Sequence, residues 1–194
     1  MHSIYHTEGF ILGSQSYGEA DKAITIFSDL FGLIRANAQG VRELKSKLRY
    51  SLQNYSRSDI SLVQTKNGWR ITSASLISNY LDDFRTDRQK FLLLVRISSL
   101  LRRLLQGEEI NNELFKVLSE GFDFLAGLGS EMVANFEPIF VLSILHRLGY
   151  VGDSPLLTKF VEIANWNKEI LEEAAVLKGE FVKSINMSLQ ESHL

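Results

Sequence analysis

The chain has 194 residues, 45% of them hydrophobic and 23% charged, the mix of an ordinary globular protein of one large or two small domains rather than a disordered one. It has no cysteine, which excludes disulfides, thiolate zinc sites and cysteine nucleophiles and makes a reducing cytoplasm the expected compartment. Net charge is -2, but it is unevenly spread: residues 1–80 hold 9 Lys/Arg against 6 Asp/Glu, and residues 81–194 hold 12 against 17. Halves of opposite sign are what a basic binding domain joined to an acidic one shows.

The start, Met1-His2-Ser3-Ile4-Tyr5-His6, has no basic region followed by an apolar core, so no signal peptide is expected. The longest purely apolar run, Phe91 to Val95, is far too short to cross a bilayer. The first 80 residues read as strands. Glu8 to Ser14 is the first. A turn at Tyr17-Gly18-Glu19-Ala20-Asp21 leads to a second, Lys22 to Phe27, with Ile24 and Ile26 on one face at period 2. After Asp29-Leu30-Phe31-Gly32, a third runs from Leu33 to Ala38 into Gly40, where the chain can turn with positive φ. The fourth, Arg57 to Gln64, meets the fifth, Trp69 to Ala74, across the hairpin signal Asn67-Gly68. Five short strands in this length suggest a small closed barrel, which leaves no raw sheet edge.

The texture turns helical near Ser78 to Asp83. Thr86-Asp87-Arg88-Gln89 has the form of a capping box with Thr86 as the cap, opening a helix that should end near Gly107. Further helices are expected over about 111–126, 130–148, 154–165 and 167–189, with Pro138 kinking or restarting the 130–148 helix. Ile139 to Leu145 is apolar almost all round, which places it at the centre of a bundle.

Paired carboxylates at Asp82-Asp83, Glu108-Glu109 and Glu172-Glu173 sit at helix starts or on polar faces, where the helix dipole suits them better than acid/base work does. His2 and His6 could share a strand face and His146 lies in the central helix, but no third ligand stands at metal spacing. Walker, dinucleotide and nucleophile-elbow motifs are absent. No catalytic residue, metal or cofactor is therefore expected. Phe122, Phe136 and Phe140 read as core.

The barrel half is different. Arg35, Arg42, Lys45, Lys47, Arg49, Arg57 and Arg70 come from neighbouring strands and one loop, with Tyr50, Tyr55 and Trp69 interleaved. Cations that track a phosphate backbone, with rings available for bases, are how a small barrel holds single strands. A solvated surface loop and hairpin packing explain the same residues more blandly.

The residues Ile11-Leu12-Gly13-Ser14, Tyr17-Gly18-Glu19-Ala20-Asp21, Ile26-Phe27-Ser28, Phe31-Gly32, Gly40-Val41-Arg42 and Leu48-Arg49-Tyr50-Ser51-Leu52-Gln53 follow, in order and spacing, a pattern that resembles the bacterial recombination mediator family RecO. Phe140 and the stretch Ile144 to Tyr150 are similar to that family's helical motif. The resemblance implies an OB-fold over residues 1–80 and a helical domain over 81–194. It implies binding of single- and double-stranded DNA, annealing of complementary strands and help in loading the RecA recombinase, without enzymatic activity. It also implies two protein partners, the tail of single-stranded DNA-binding protein and the ring protein RecR, and a place in the bacterial cytoplasm at the nucleoid. Against the family pattern, Gln39 stands for the usual Lys, Tyr50 for a Gly, Asn54-Tyr55 for Pro-Phe and Val141 for a Glu, and the four-Cys zinc module of many relatives is missing.

The reading is thus an α+β protein, an N-terminal five-stranded OB barrel followed by an all-helical domain. Its expected DNA-binding residues are Arg35, Arg42, Lys45, Lys47, Arg49, Tyr50, Arg57 and Arg70. The rival reading is an adaptor whose basic arm docks acidic partner tails, with little DNA binding of its own.

Overall fold

The structure, a computed structural model, describes residues 3–152, 154–161 and 166–191. Five strands close into a barrel in the order β1-β2-β3-β5-β4: β1 Ile4–Tyr17, β2 Asp21–Ser28, β3 Gly32–Ala38, β4 Ser56–Thr65 and β5 Gly68–Asn79. All neighbours pair antiparallel except β3 with β5, which meet in parallel at Ala36 with Trp69 and Asn37 with Arg70. Alternation drives this. On β3, Ile34, Ala36 and Ala38 point inward while Arg35 and Asn37 point out, and the interior is filled by Ile11, Ile24, Ile26, Ile60, Leu62 and Ile71 among others. This is the OB arrangement expected from the sequence.

The strands run longer than their sequence signals. β1 extends at both ends, and β5 continues five residues past Ala74, because paired neighbours supply hydrogen bonds that polar residues such as Ser75 and Ser78 could not announce. Asn79 then caps a short helix, α2 (Tyr80–Phe84), that the periodicity did not reveal; its side chain accepts from the amide of Asp82. Tyr80 stacks between Phe10 and Phe84.

The remaining helices among the described residues are α3 Arg88–Leu104, α4 Asn112–Gly127, α5 Val133–Arg147, α6 Pro155–Val161 and α7 Lys168–Glu191, with a 3-10 turn at Ser130–Met132; α1 is a four-residue turn, Leu48–Ser51, inside the basic segment. The expected continuation of α6 to residue 165 lies outside the described residues, as does His2. One expectation changes and another narrows. Asp87, not Thr86, caps α3: its Oδ1 accepts from the amides of Gln89 and Lys90, and a carboxylate gains from the helix dipole where a hydroxyl does not. Helix α5 runs through Pro138 as one element, without the restart that was one of the two outcomes expected there.

The chain divides into two compact units. The first is residues 1–85 with 98–112; the second is 86–97 with 113–194. In the second, α5 packs on α6 and α7, and Phe124, Phe136, Phe140 and Trp166 form one ring cluster with centroids 5.1 to 6.2 Å apart. Phe122, Phe136 and Phe140 are core as expected. Gly121 is required here: a Cβ on it would meet Phe140 Cε2 at 2.2 Å.

Candidate nucleic-acid interface

The basic segment is a surface arm pinned from beneath. Val41 and Leu52 are buried in the barrel interior and Leu48 packs against it. Gly40 takes φ +62°, a conformation in which its amide donates to Asp21 Oδ1 at 2.8 Å, and the amide of Arg42 reaches Ala20 O at 2.9 Å. The arm is therefore docked on the β1–β2 loop. Val41, Leu48 and Leu52 face in, and Arg42, Lys45, Lys47, Arg49 and Tyr50 all face solvent. Leu44, 89% exposed, stands among them.

Beside the arm lies the outer face of β1, β2 and β3. Pairing puts Gly13, Thr25 and Arg35 in one row, Gln15, Ala23, Asn37 and Arg70 in the next, and Tyr17 with Asp21 in the third. Gln15, Tyr17, Ala23, Arg35 and Asn37 line a shallow depression of about 300 Å³. Arg35 Nη2 donates to Gln15 Oε1 at 2.8 Å, and Arg42 Nη1 reaches Gly18 O at 3.3 Å. The depression is thus bordered by Arg35 on β3, Arg70 on β5 and Arg42 from the arm. Its floor offers two side-chain amides and an exposed phenol. Chemically this surface suits a polyanion with flat, hydrogen-bonding groups.

Seven of the eight residues expected from the sequence are exposed on this face or on the arm beside it. Arg57 differs. It lies on β4, opposite Phe10 of β1, and its Nε donates to Glu8 Oε1 with the side chain 17% exposed. Burial works against its charge, but hydrogen bonds to Glu8 and Tyr80 outweigh that and hold the guanidinium more firmly protonated than usual. Among the candidate rings, Tyr50 is 55% exposed. Trp69 is interior: its ring packs on Phe31 and Tyr5 and its Nε1 donates to Glu108 Oε1 at 2.9 Å. Tyr55 is partly buried at φ +69°. Gln15, Tyr17 and Asn37 were not singled out in the sequence. Asn37 was legible, two residues beyond Arg35 on the same face. Gln15 and Tyr17 were not, because nothing local shows that β1 continues past Ser14.

A small barrel of OB topology, with a basic arm and exposed arginines bordering its outer β1–β3 face and followed by a helical unit, defines the class. The comparisons narrow it. A family model described as recombination protein O, N terminal, matches residues 1–80, and its C-terminal counterpart matches residues 85–153. The DNA repair protein RecO of Heliobacterium modesticaldum is 31% identical over 153 residues, 79% of this chain and 54% of that protein. Those of Thermodesulfovibrio yellowstonii and Alkaliphilus metalliredigens are 32% and 28% identical over 117 and 155 residues, covering 59% and 80% of this chain and 46% and 61% of the relatives. The chain belongs to the RecO family of DNA repair and recombination proteins. It spans about half the length of the curated relatives it matches.

Proposed function

We propose that this chain is a DNA-binding recombination mediator: it anneals complementary single strands and assists recombinase loading, and it is not an enzyme. The observation that carries the reading is the docked basic arm beside a cation-bordered depression on the barrel's outer face. Two DNA strands repel each other through their phosphates. A surface with Arg35, Arg42, Lys45, Lys47, Arg49 and Arg70 releases condensed counterions when phosphates replace them, so two strands can share one low-repulsion surface while their bases stay free to pair. Tyr17 and Tyr50 offer sequence-tolerant stacking. RecR and the tail of single-stranded DNA-binding protein are the protein partners this reading assigns to the whole family member, with the barrel unit as the DNA-binding domain and the helices as the protein-binding part. Arg57, held by Glu8, supports the barrel rather than DNA.

The test is annealing of complementary oligonucleotides by the purified chain without partners. Acceleration over the protein-free rate is expected. No acceleration and no binding of single strands would leave the adaptor reading, in which the basic arm grips an acidic partner tail.

A further inference from the structure

The helical part of the sequence carries an arginine that the fold returns to the barrel. Arg102 lies in the last turn of α3, and residues 98–112 belong to the compact unit that contains the barrel. Its side chain lies on the outer face of β1: a Cβ built on Gly13 would meet Arg102 Nη1 at 3.0 Å and Cδ at 3.8 Å. Gly13 is buried, yet among the described residues, its own chain neighbours apart, only this side chain comes within 4 Å of that position. A helix C-terminus favours a cation wherever it points. Direction, not charge, is what distinguishes Arg102.

That direction matters because of register. Gly13 pairs with Thr25, and Thr25 with Arg35, so Arg102 and Arg35 stand over the same row of the sheet. Two strand spacings separate the row's ends, about 10 Å. Arg102 is exposed and forms no ion pair among the described residues; Nη2 makes only a long hydrogen bond to Ser99 Oγ, 3.3 Å. The depression lined by Gln15, Tyr17 and Asn37 is therefore bordered on its β1 side by a cation as well.

We propose that Arg102 is a phosphate contact, the fourth border of a track that crosses β1, β2 and β3, and that Gly13 is the position that lets the guanidinium rest on the sheet. The inference rests on the DNA-binding reading above. It assigns the backbone a path across the barrel face rather than along the arm alone.

The experiment is fluorescence anisotropy of a labelled single-stranded oligonucleotide, titrated at several salt concentrations, with thermal melts of every variant. Variants are R102A, R102K and, as a control in the helical unit, K168A. One lost phosphate contact should reduce the salt slope by about 0.7 and weaken binding about 5-fold at 0.1 M salt. R102A should show both changes with its melt unchanged, R102K should restore the slope, and K168A should match the wild type. An R102A slope equal to wild type overturns the inference while leaving DNA binding intact. So does a loss in R102K equal to that in R102A with a lowered melt, which would make the side chain a cover for Gly13. A wild-type slope near zero would instead refute the DNA-binding reading itself.

Discussion

Reversal of three charges on the arm, K45E/K47E/R49E, separates binding from folding. All three side chains are exposed, and none makes an ion pair among the described residues. The contacts that hold the arm, Val41 and Leu52 in the interior, Leu48 against it and Gly40 on Asp21, are untouched. Exposed substitutions of this kind change stability by less than about 0.5 kcal/mol each, and a chain of this length moves about 2 to 4 °C per kcal/mol, so the melting temperature should shift by only a few degrees. Binding should respond far more. Three phosphate contacts at about 0.7 each account for roughly 2 in the salt slope, or about 100-fold in affinity at 0.1 M salt, before the repulsion of three new carboxylates is added. Annealing of complementary oligonucleotides, followed by energy transfer between end labels, should fall to the protein-free rate. A pull-down of single-stranded DNA-binding protein, run alongside, should be unaffected. Annealing retained at an unchanged melt would refute the reasoning, because the DNA would then sit elsewhere. Loss of annealing and of the pull-down together would favour the adaptor.

Three other predictions probe the scaffold. G121A should destabilise: the helix gains about 1 kcal/mol in propensity, but the Cβ collides with Phe140 Cε2, whose ring is stacked on Phe136 and edged by Phe122 and Trp166 and has nowhere to go. Overpacking of this kind costs about 1 to 3 kcal/mol, and a drop in melting temperature checks it. The Asp87 carboxyl is held below its usual range first by the Ser130 hydroxyl and then by the Gln89 and Lys90 amides. A depressed carboxylate contributes stability above its unfolded value, about pH 4, and loses it as pH falls through the folded value. The stability difference between wild type and D87N should thus be constant from neutral pH to about pH 5 and shrink in more acid buffer, read by melts across pH; a difference independent of pH would contradict the cap. W69F should leave single-strand affinity unchanged, since Trp69 faces Phe31 and Glu108 rather than solvent; a several-fold loss in the anisotropy titration would return Trp69 to the interface.

What could be read from the chain divides by range. Ile24 and Ile26 announced β2 by their period-2 spacing, and Gly40 announced its positive φ, because both signals are local. The arm's cations were legible for the same reason, since four of them, Arg42, Lys45, Lys47 and Arg49, fall within eight residues. Arg57 stands apart from them because its side chain is held by Glu8, forty-nine positions away across the β1–β4 pairing. Trp69 reads as an available ring until Glu108 arrives from beyond α3. Arg102 was hidden most completely. It lies on a basic helix within a half whose overall charge balance is acidic, and only tertiary folding returns residues 98–112 to the barrel. Asp87 and Thr86 are both good caps by composition; which one turns inward is settled by the first amides of the helix, not by the motif.

The claim on which everything else depends is that the barrel surface exchanges counterions for phosphates. The most direct measurement is the affinity of the purified wild-type chain for a single-stranded oligonucleotide from 50 to 400 mM salt, roughly three salt doublings, plotted as log K against log salt concentration. Neutralising four or so phosphates predicts a straight line of slope about -3, independent of base sequence. A slope near zero at neutral pH would contradict the account.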